Sequence, residues 1–273
     1  MSRLHVAAVQ MESFYGDVDA NVERHLTRIA EARERNVDVL VFPELSLTGH
    51  TAGKDALRLA QRVDGPAVAT LASAAGPMTV VVGLIEDDAA GLFFNTAVVV
   101  RDGRVIAVQR KANLATYGQL DDGKYYAAGE RIVACDVDGW CMGVGICADL
   151  WNPALVHDAM MRGVTLLCAP VSSAVEAVGN GFDNTAGWDI NLRFYAMTYG
   201  CPVVMANRTG REGALSFWGG SRIVDAGGRV VAQAKGRGEA LVTAKLDFAD
   251  VRAARFRLPT LRDARRHVSF AGA

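Results

Sequence analysis

Short apolar runs with strand character recur along the whole chain, and the spacers between them constrain the fold more than any other feature. The runs cover residues 4–10, 37–42, 78–85, 93–101, 105–110, 140–147, 164–169, 202–206, 221–225, 229–234 and 239–246. Some spacers carry apolar residues at helical period, notably 20–35, 56–63, 67–75, 153–162 and 187–199, as crossover connections between parallel strands require. Others are tight turn signals, Arg101-Asp102-Gly103-Arg104 and Asp225-Ala226-Gly227-Gly228, which mark hairpins. Mixing the two predicts an α/β chain whose sheets carry helices on one face. No Pro/Ser linker, composition break or internal repeat interrupts residues 1–273, so one domain is expected.

About half of the 273 residues are apolar, ample for a large core, and the net charge is -1. Near-neutrality without a Lys/Arg run argues against a nucleic-acid or membrane-surface partner. No apolar stretch approaches the ~18 residues of a membrane span, and the N-terminus runs straight into a strand pattern. A cytoplasmic location is the resulting expectation. Five cysteines, an odd number without any C-x-x-C pair, suggest neither disulfides nor a zinc knuckle. Cys135, Cys141, Cys168 and Cys201 read as small buried hydrophobes.

Three strand ends carry reactive groups. The run 37–42 ends in Pro43-Glu44, where an apolar surrounding makes a carboxylate a better base. The run 105–110 ends in Lys111, whose ammonium would hold a thiolate or an oxyanion if it met the same cleft. The run 140–147 ends in Cys147 and leads through Ala148-Asp149-Leu150-Trp151-Asn152 into the helix opening at Pro153. A thiol at a strand-to-helix turn is expected to feel the helix's positive end, which favours the thiolate, while turn N–H groups such as that of Ala148 await an oxyanion.

Glu, Lys and Cys in this order, each closing a strand, resemble the nitrilase or carbon–nitrogen hydrolase superfamily. The resemblance runs from Ala7-Ala8-Val9-Gln10 to the hairpin near Arg229, and rests on Phe42-Pro43-Glu44, Arg110-Lys111 and Gly145-Ile146-Cys147. Asn21, Gly83, Asn95-Thr96-Ala97, Asn207, Gly219-Gly220-Ser221, Asp225 and Gly227 support it. It implies a four-layer α-β-β-α sandwich, often dimerised through helices near the nucleophile, so a homodimer or higher homo-oligomer is expected. It also implies Cys147 as nucleophile, Glu44 as general base and Lys111 as electrostatic stabiliser, acting on a small amide or nitrile through a thioester, with no metal or organic cofactor. Many members carry a second Glu in the loop after the lysine. Asp122 stands at that position here, one methylene shorter.

Ile146-Cys147-Ala148-Asp149-Leu150-Trp151 and the loop Tyr117 to Tyr126 also resemble the glutamine-hydrolysing domains of NAD synthetases, which typically have Glu where Ala148 stands. Tyr117, Ala148, Trp151 and Ser172 are the expected substrate contacts, and the loops 113–129 and 172–186 the expected functional excursions. Gly143-x-Gly145-x-x-Ala148 mimics a dinucleotide fingerprint but lacks the acidic residue about 20 positions on. His5, His25, His50, His157 and His267 show no ligand spacing and read as structural or exposed; His50, which follows Leu47-Thr48-Gly49, reads first as a turn residue and alternatively as one that lines the cleft. The leading expectation is an amidase releasing ammonia from a small non-peptide amide. Alternatives are a nitrilase, an N-carbamoyl amine hydrolase, a glutamine-hydrolysing ammonia donor, and a weakly active binding or assembly subunit.

Overall fold

The computed structural model describes residues 2–179 and 181–268; Asn180, in the second long loop, lies outside them. The first sheet contains β1 (Arg3–Gln10), β2 (Val39–Val41), β3 (Thr79–Asp87), β4 (Phe93–Arg101) and β5 (Arg104–Arg110), with β14 (Ala240–Asp247) beside β1 at its edge. The second contains β6 (Val133–Val137), β7 (Trp140–Val144), β8 (Leu166–Val171), β9 (Val203–Asn207), β12 (Arg222–Val224) and β13 (Val230–Gln233), in the order β13-β12-β9-β8-β7-β6. A separate hairpin joins β10 (Thr209–Glu212) to β11 (Leu215–Trp218). Parallel pairing links β1, β2 and β3, and likewise β7, β8 and β9.

Side-chain alternation builds the layers. Along β1, Val6 and Ala8 face the second sheet, while Ala7 and Val9 face α1 (Val18–Glu34) and, further along the sheet, α3 (Pro66–Ala75), which follows the single turn α2 (Ala56–Leu59). Along β8, Leu166 and Cys168 point between the sheets, whereas Leu167, Ala169 and Val171 meet α5 (Pro153–Met161) and α6 (Asn184–Tyr199). The order is therefore helices, sheet, sheet, helices, the expected four-layer sandwich. Continuous apolar runs such as Val39–Val41 are what a strand covered on both faces demands.

The helices begin where local chemistry tells them to. Asp17 accepts from Ala20 N at 3.1 Å and starts α1, which buries Val22, Ile29 and Ala32 on one stripe; a buried Ile contributes about 1.5–3 kcal/mol. Asp183 caps α6 through Ala186 N at 3.0 Å, and Gly200 ends it in the left-handed conformation.

Several elements differ from the expectation. The strand at residues 140–147 ends at Val144, and Cys147–Trp151 is a 3₁₀ turn before α5. The first long loop contains one helical turn, α4 (Asp122–Tyr125). Strands β6, β10 and β11 were unforeseen, as were α7 (Phe248–Arg257) and the Arg-rich α8 (Thr260–Val268). Cys168 and Cys201 are fully buried, but Cys135 and Cys141, on the edge pair β6–β7, are only partly so.

Candidate active site

β5 runs in the same sense as β2 because two antiparallel pairings separate it from β3. The ends of β2 and β5 therefore present Glu44 and Lys111 at one rim, and the residues after β7 and β8 bring Cys147 and Ser172 to meet them. Lys111 Nζ donates to Glu44 Oε1 at 2.6 Å and to Asp122 Oδ2 at 2.6 Å. Asn95 Nδ2 also donates to Glu44 Oε1 at 2.8 Å, and Ser172 N to Glu44 Oε2 at 2.9 Å. The Cys147 thiol sits against the Glu44 carboxylate and the Ser172 N–H. Glu44, Lys111, Asp122 and Cys147 all line one narrow cavity, so the expected convergence is present.

Charge within this cluster is strongly interdependent. Burial works against the Lys111 ammonium, but the Asp122 and Glu44 carboxylates outweigh it and hold its pKa well above the usual lysine range. Burial likewise opposes ionisation of Asp122, and the facing ammonium still keeps that carboxyl below its ordinary value. A lysine with three donor positions that gives two to carboxylates retains one for an incoming oxygen.

Cys147 departs from the expectation. Its pKa is raised, not lowered: burial comes first, the Glu44 carboxylate adds to it, and Lys111 only partly offsets them. The helix dipole has little influence because α5 starts six residues later, beyond the first-turn range of such a field. The resting group is a thiol beside a base. Its backbone is strained, at φ 43°, a conformation costing on the order of 1–3 kcal/mol in a non-glycine residue. Leu45, directly after Glu44, is likewise at φ 51°.

Among the expected substrate contacts, Tyr117, Trp151 and Ser172 line the cavity. The hydroxyl of Ser172 is buried without a partner. Burial pushes the Tyr117 phenol up to about 12. Ala148 does not belong to the lining: its side chain is buried within the turn, and its carbonyl accepts from Asn113 Nδ2 at 2.8 Å. Only its backbone N–H remains available for the expected role.

Two residues matter more than the sequence suggested. Asp149 is fully buried; Oδ1 accepts from Ala112 N at 2.9 Å and Asn113 N at 2.8 Å, and Oδ2 from Ile146 N at 2.8 Å. It ties the segment after Lys111 to the turn that carries Cys147. An isolated Asp in an otherwise apolar turn was the available signal. His50, read as a turn residue, lines the cavity, stacks edge-on against Phe217 at 5.3 Å, and leaves Nδ1 buried without a partner. Its backbone is gripped by Glu212, which accepts from His50 N at 3.2 Å and Thr51 N at 2.5 Å and is itself held by Arg208 Nη1 at 2.5 Å.

The supporting matches hold this scaffold in place. Asn21 bonds Phe14 and the Leu47 carbonyl, fixing the segment after Glu44. Gly83 lets β3 approach that segment: a Cβ there would lie 2.5 Å from Leu45 N and 2.6 Å from Pro43 O. Asn207 accepts from Ser173 N at 2.9 Å and donates to Gly219 O at 2.8 Å. Among the described residues no group of three or more His, Cys, Asp or Glu is placed to hold a metal ion, and no helix is long and apolar enough to cross a membrane.

Comparison with known proteins identifies a family and a shared fold. The family model described as Carbon-nitrogen hydrolase matches residues 5–256. The glutamine-dependent NAD(+) synthetase of Thermotoga maritima is 32% identical over 252 residues, covering 91% of this chain and 43% of that protein. This chain thus spans less than half the length of that relative. The citrullinase of Francisella tularensis is 25% identical over 276 residues, covering 97% of this chain and 96% of the relative. The crystal structure of a carbon-nitrogen hydrolase from Helicobacter pylori superposes with a TM-score of 0.86 at 23% identity, over 96% of this chain and 94% of that one.

Proposed function

This chain belongs to the carbon–nitrogen hydrolase family and is a hydrolase of carbon–nitrogen bonds, and from that premise we propose that it cleaves a small non-peptide amide to a carboxylate and ammonia. One observation carries the reading: a single buried ammonium bridges Glu44 and Asp122 at 2.6 Å each, with the Cys147 thiol against the same Glu44. The thiol proton passes to Glu44 as sulphur attacks the amide carbon. The developing oxyanion is met by the remaining Lys111 donor and the Ala148 N–H. Glu44 returns the proton to nitrogen, the C–N bond breaks and ammonia leaves. Water then gives a proton to Glu44 and attacks the thioester carbonyl, the C–S bond breaks, and the sulphur recovers its proton.

The raised thiol pKa supports this order, since a thiol that stays protonated until substrate arrives needs a base in contact with it. Intact-mass detection of an acyl adduct during turnover, absent in Cys147→Ala, tests the reading. Full turnover by Cys147→Ala would end it. Nitrile cleavage instead would leave an amide among the products, and carbamoyl cleavage would release carbon dioxide. Self-association through the exposed Ile190, Phe194 and Met197 of α6 belongs to the same proposal, and sedimentation velocity checks it.

A further inference from the structure

Away from the reacting groups, the cavity wall is apolar and aromatic. Trp151 packs edge-on against Trp188 with ring centroids 5.2 Å apart and against Phe182 at 5.8 Å, and Leu120, Ala177 and Val178 complete that side. Trp188 is buried and Trp151 partly so, which makes the wall stiff. The loop 117–120 closes over it. Gly118 approaches so closely that a Cβ would fall 2.1 Å from Ala177 O, and Gln119 N donates to that same carbonyl at 3.0 Å.

Charge in the lining is one-sided. Among its described residues Lys111 is the only lysine or arginine, and two carboxylates already take it. The centre therefore holds two anions to one cation. The nearby guanidinium of Arg208 does not line the cavity; its Nη1 donates to Glu212, its Nη2 to Ser13 O at 2.8 Å, its plane lies over Phe217, and only its buried Nε has no partner. Of the neutral groups, Asn184 Nδ2 donates to Ala174 O at 2.8 Å, while Ser173 Oγ accepts from Trp218 Nε1 at 3.1 Å and keeps its own O–H. What remains is a set of uncharged groups, the Ser172 and Ser173 hydroxyls, the Tyr117 phenol and the His50 imidazole. Burial holds the imidazole below its ordinary pKa and so keeps it neutral.

We propose that this cavity selects uncharged amides with an apolar acyl group and rejects amides that carry a carboxylate. A carboxylate on the acyl chain would be stripped of water against tryptophan and leucine, find no counter-ion, and face a centre that is already net negative. L-Glutamine and citrulline, which the names of two relatives bring to mind, both carry that group. The inference rests on the amide-hydrolysis reading and goes beyond it by naming the substrate class.

A matched pair tests it: pentanamide and 4-carbamoylbutanoate share a five-carbon amide skeleton and differ in a terminal methyl against a terminal carboxylate, with L-glutamine as third probe. Ammonia release by the unmutated protein gives kcat/KM, and calorimetry on Cys147→Ala gives binding without turnover. The expected result is a kcat/KM for pentanamide at least about a hundredfold above either carboxylate-bearing probe, carried mainly by KM, with the same order in binding. Carboxylate-bearing probes turned over or bound as well as pentanamide would overturn the selection. If no probe gives Cys147-dependent ammonia, the hydrolysis reading falls, while the calorimetric order still decides whether the cavity discriminates against charge.

Discussion

The Asp122 carboxylate reaches the Lys111 ammonium at 2.6 Å although its side chain is one methylene shorter than the glutamate expected there. The loop closes on itself to achieve this. Asp122 N donates to Ala115 O at 3.0 Å, and Ala115 N returns a bond to Asp122 Oδ2 at 3.2 Å. The pair draws the backbone inward, and α4 starts from it.

Asp122→Asn keeps the shape but removes the charge opposite Lys111. Losing one charge-assisted bond of about 1.5–3 kcal/mol should lower kcat/KM on the order of tenfold to a hundredfold. Steady-state ammonia release measures it; an unchanged rate would mean that Asp122 only closes the loop.

Lys111→Ala leaves two buried carboxylates without their cation. Breaking such a pair is expected to cost about 3–5 kcal/mol of stability, seen as a lower Tm. Turnover should fall by ~10²–10³-fold or more through the missing oxyanion donor. A variant as fast as the original protein would remove Lys111 from the mechanism.

Asp149 sets a pH limit. Burial raises its pKa from 3.8 to about 6, against the pull of the backbone N–H groups it accepts from. Below that value the protonated group can no longer accept all three, so kcat/KM should drop as pH falls from about 7 to 5. The stability sign is opposite: the folded state binds this proton more tightly than the unfolded chain, so this group's contribution declines as pH rises from about 4 to 6 and is level above. Asp149→Asn should show a lower plateau and no inflection near 6. Persistence of that inflection in the variant would assign it to another group.

Gly83→Ala tests the close approach behind Glu44. The new methyl would meet backbone atoms of Pro43 and Leu45, which cannot swing aside as a side-chain tip can. Overpacking of this kind typically costs about 1–3 kcal/mol, and displacement of Glu44 should lower kcat as well. A melting curve and kcat both unaffected would contradict the crowding.

The elements written legibly in the sequence were those whose pattern is local. The continuous apolar run along residues 4–10 reports a strand buried on both faces and the helical period along 20–35 a helix buried on one, because each pattern is complete within a few residues. β10 was invisible for the converse reason, and α8 nearly so. Thr209-Gly210-Arg211-Glu212 is polar and pairs only with its hairpin partner, so it shows no apolar alternation, whereas α8 offers Leu261, Ala264 and Val268 at helical spacing, a signal thinned by its three arginines. The reactive residues could be named one by one because each follows a recognisable strand.

Sequence alone determined the layered class, the placement of Glu44, Lys111 and Cys147 shortly after strands, and the family resemblance they carry. Only tertiary structure decided the protonation chemistry and the roles of Asp149 and His50. Glu44 and Lys111 are 67 positions apart, and the thiol's environment is built from four separate segments. A pKa, a counter-ion or a cavity wall depends on distances and on excluded water, which exist only after the two sheets have packed.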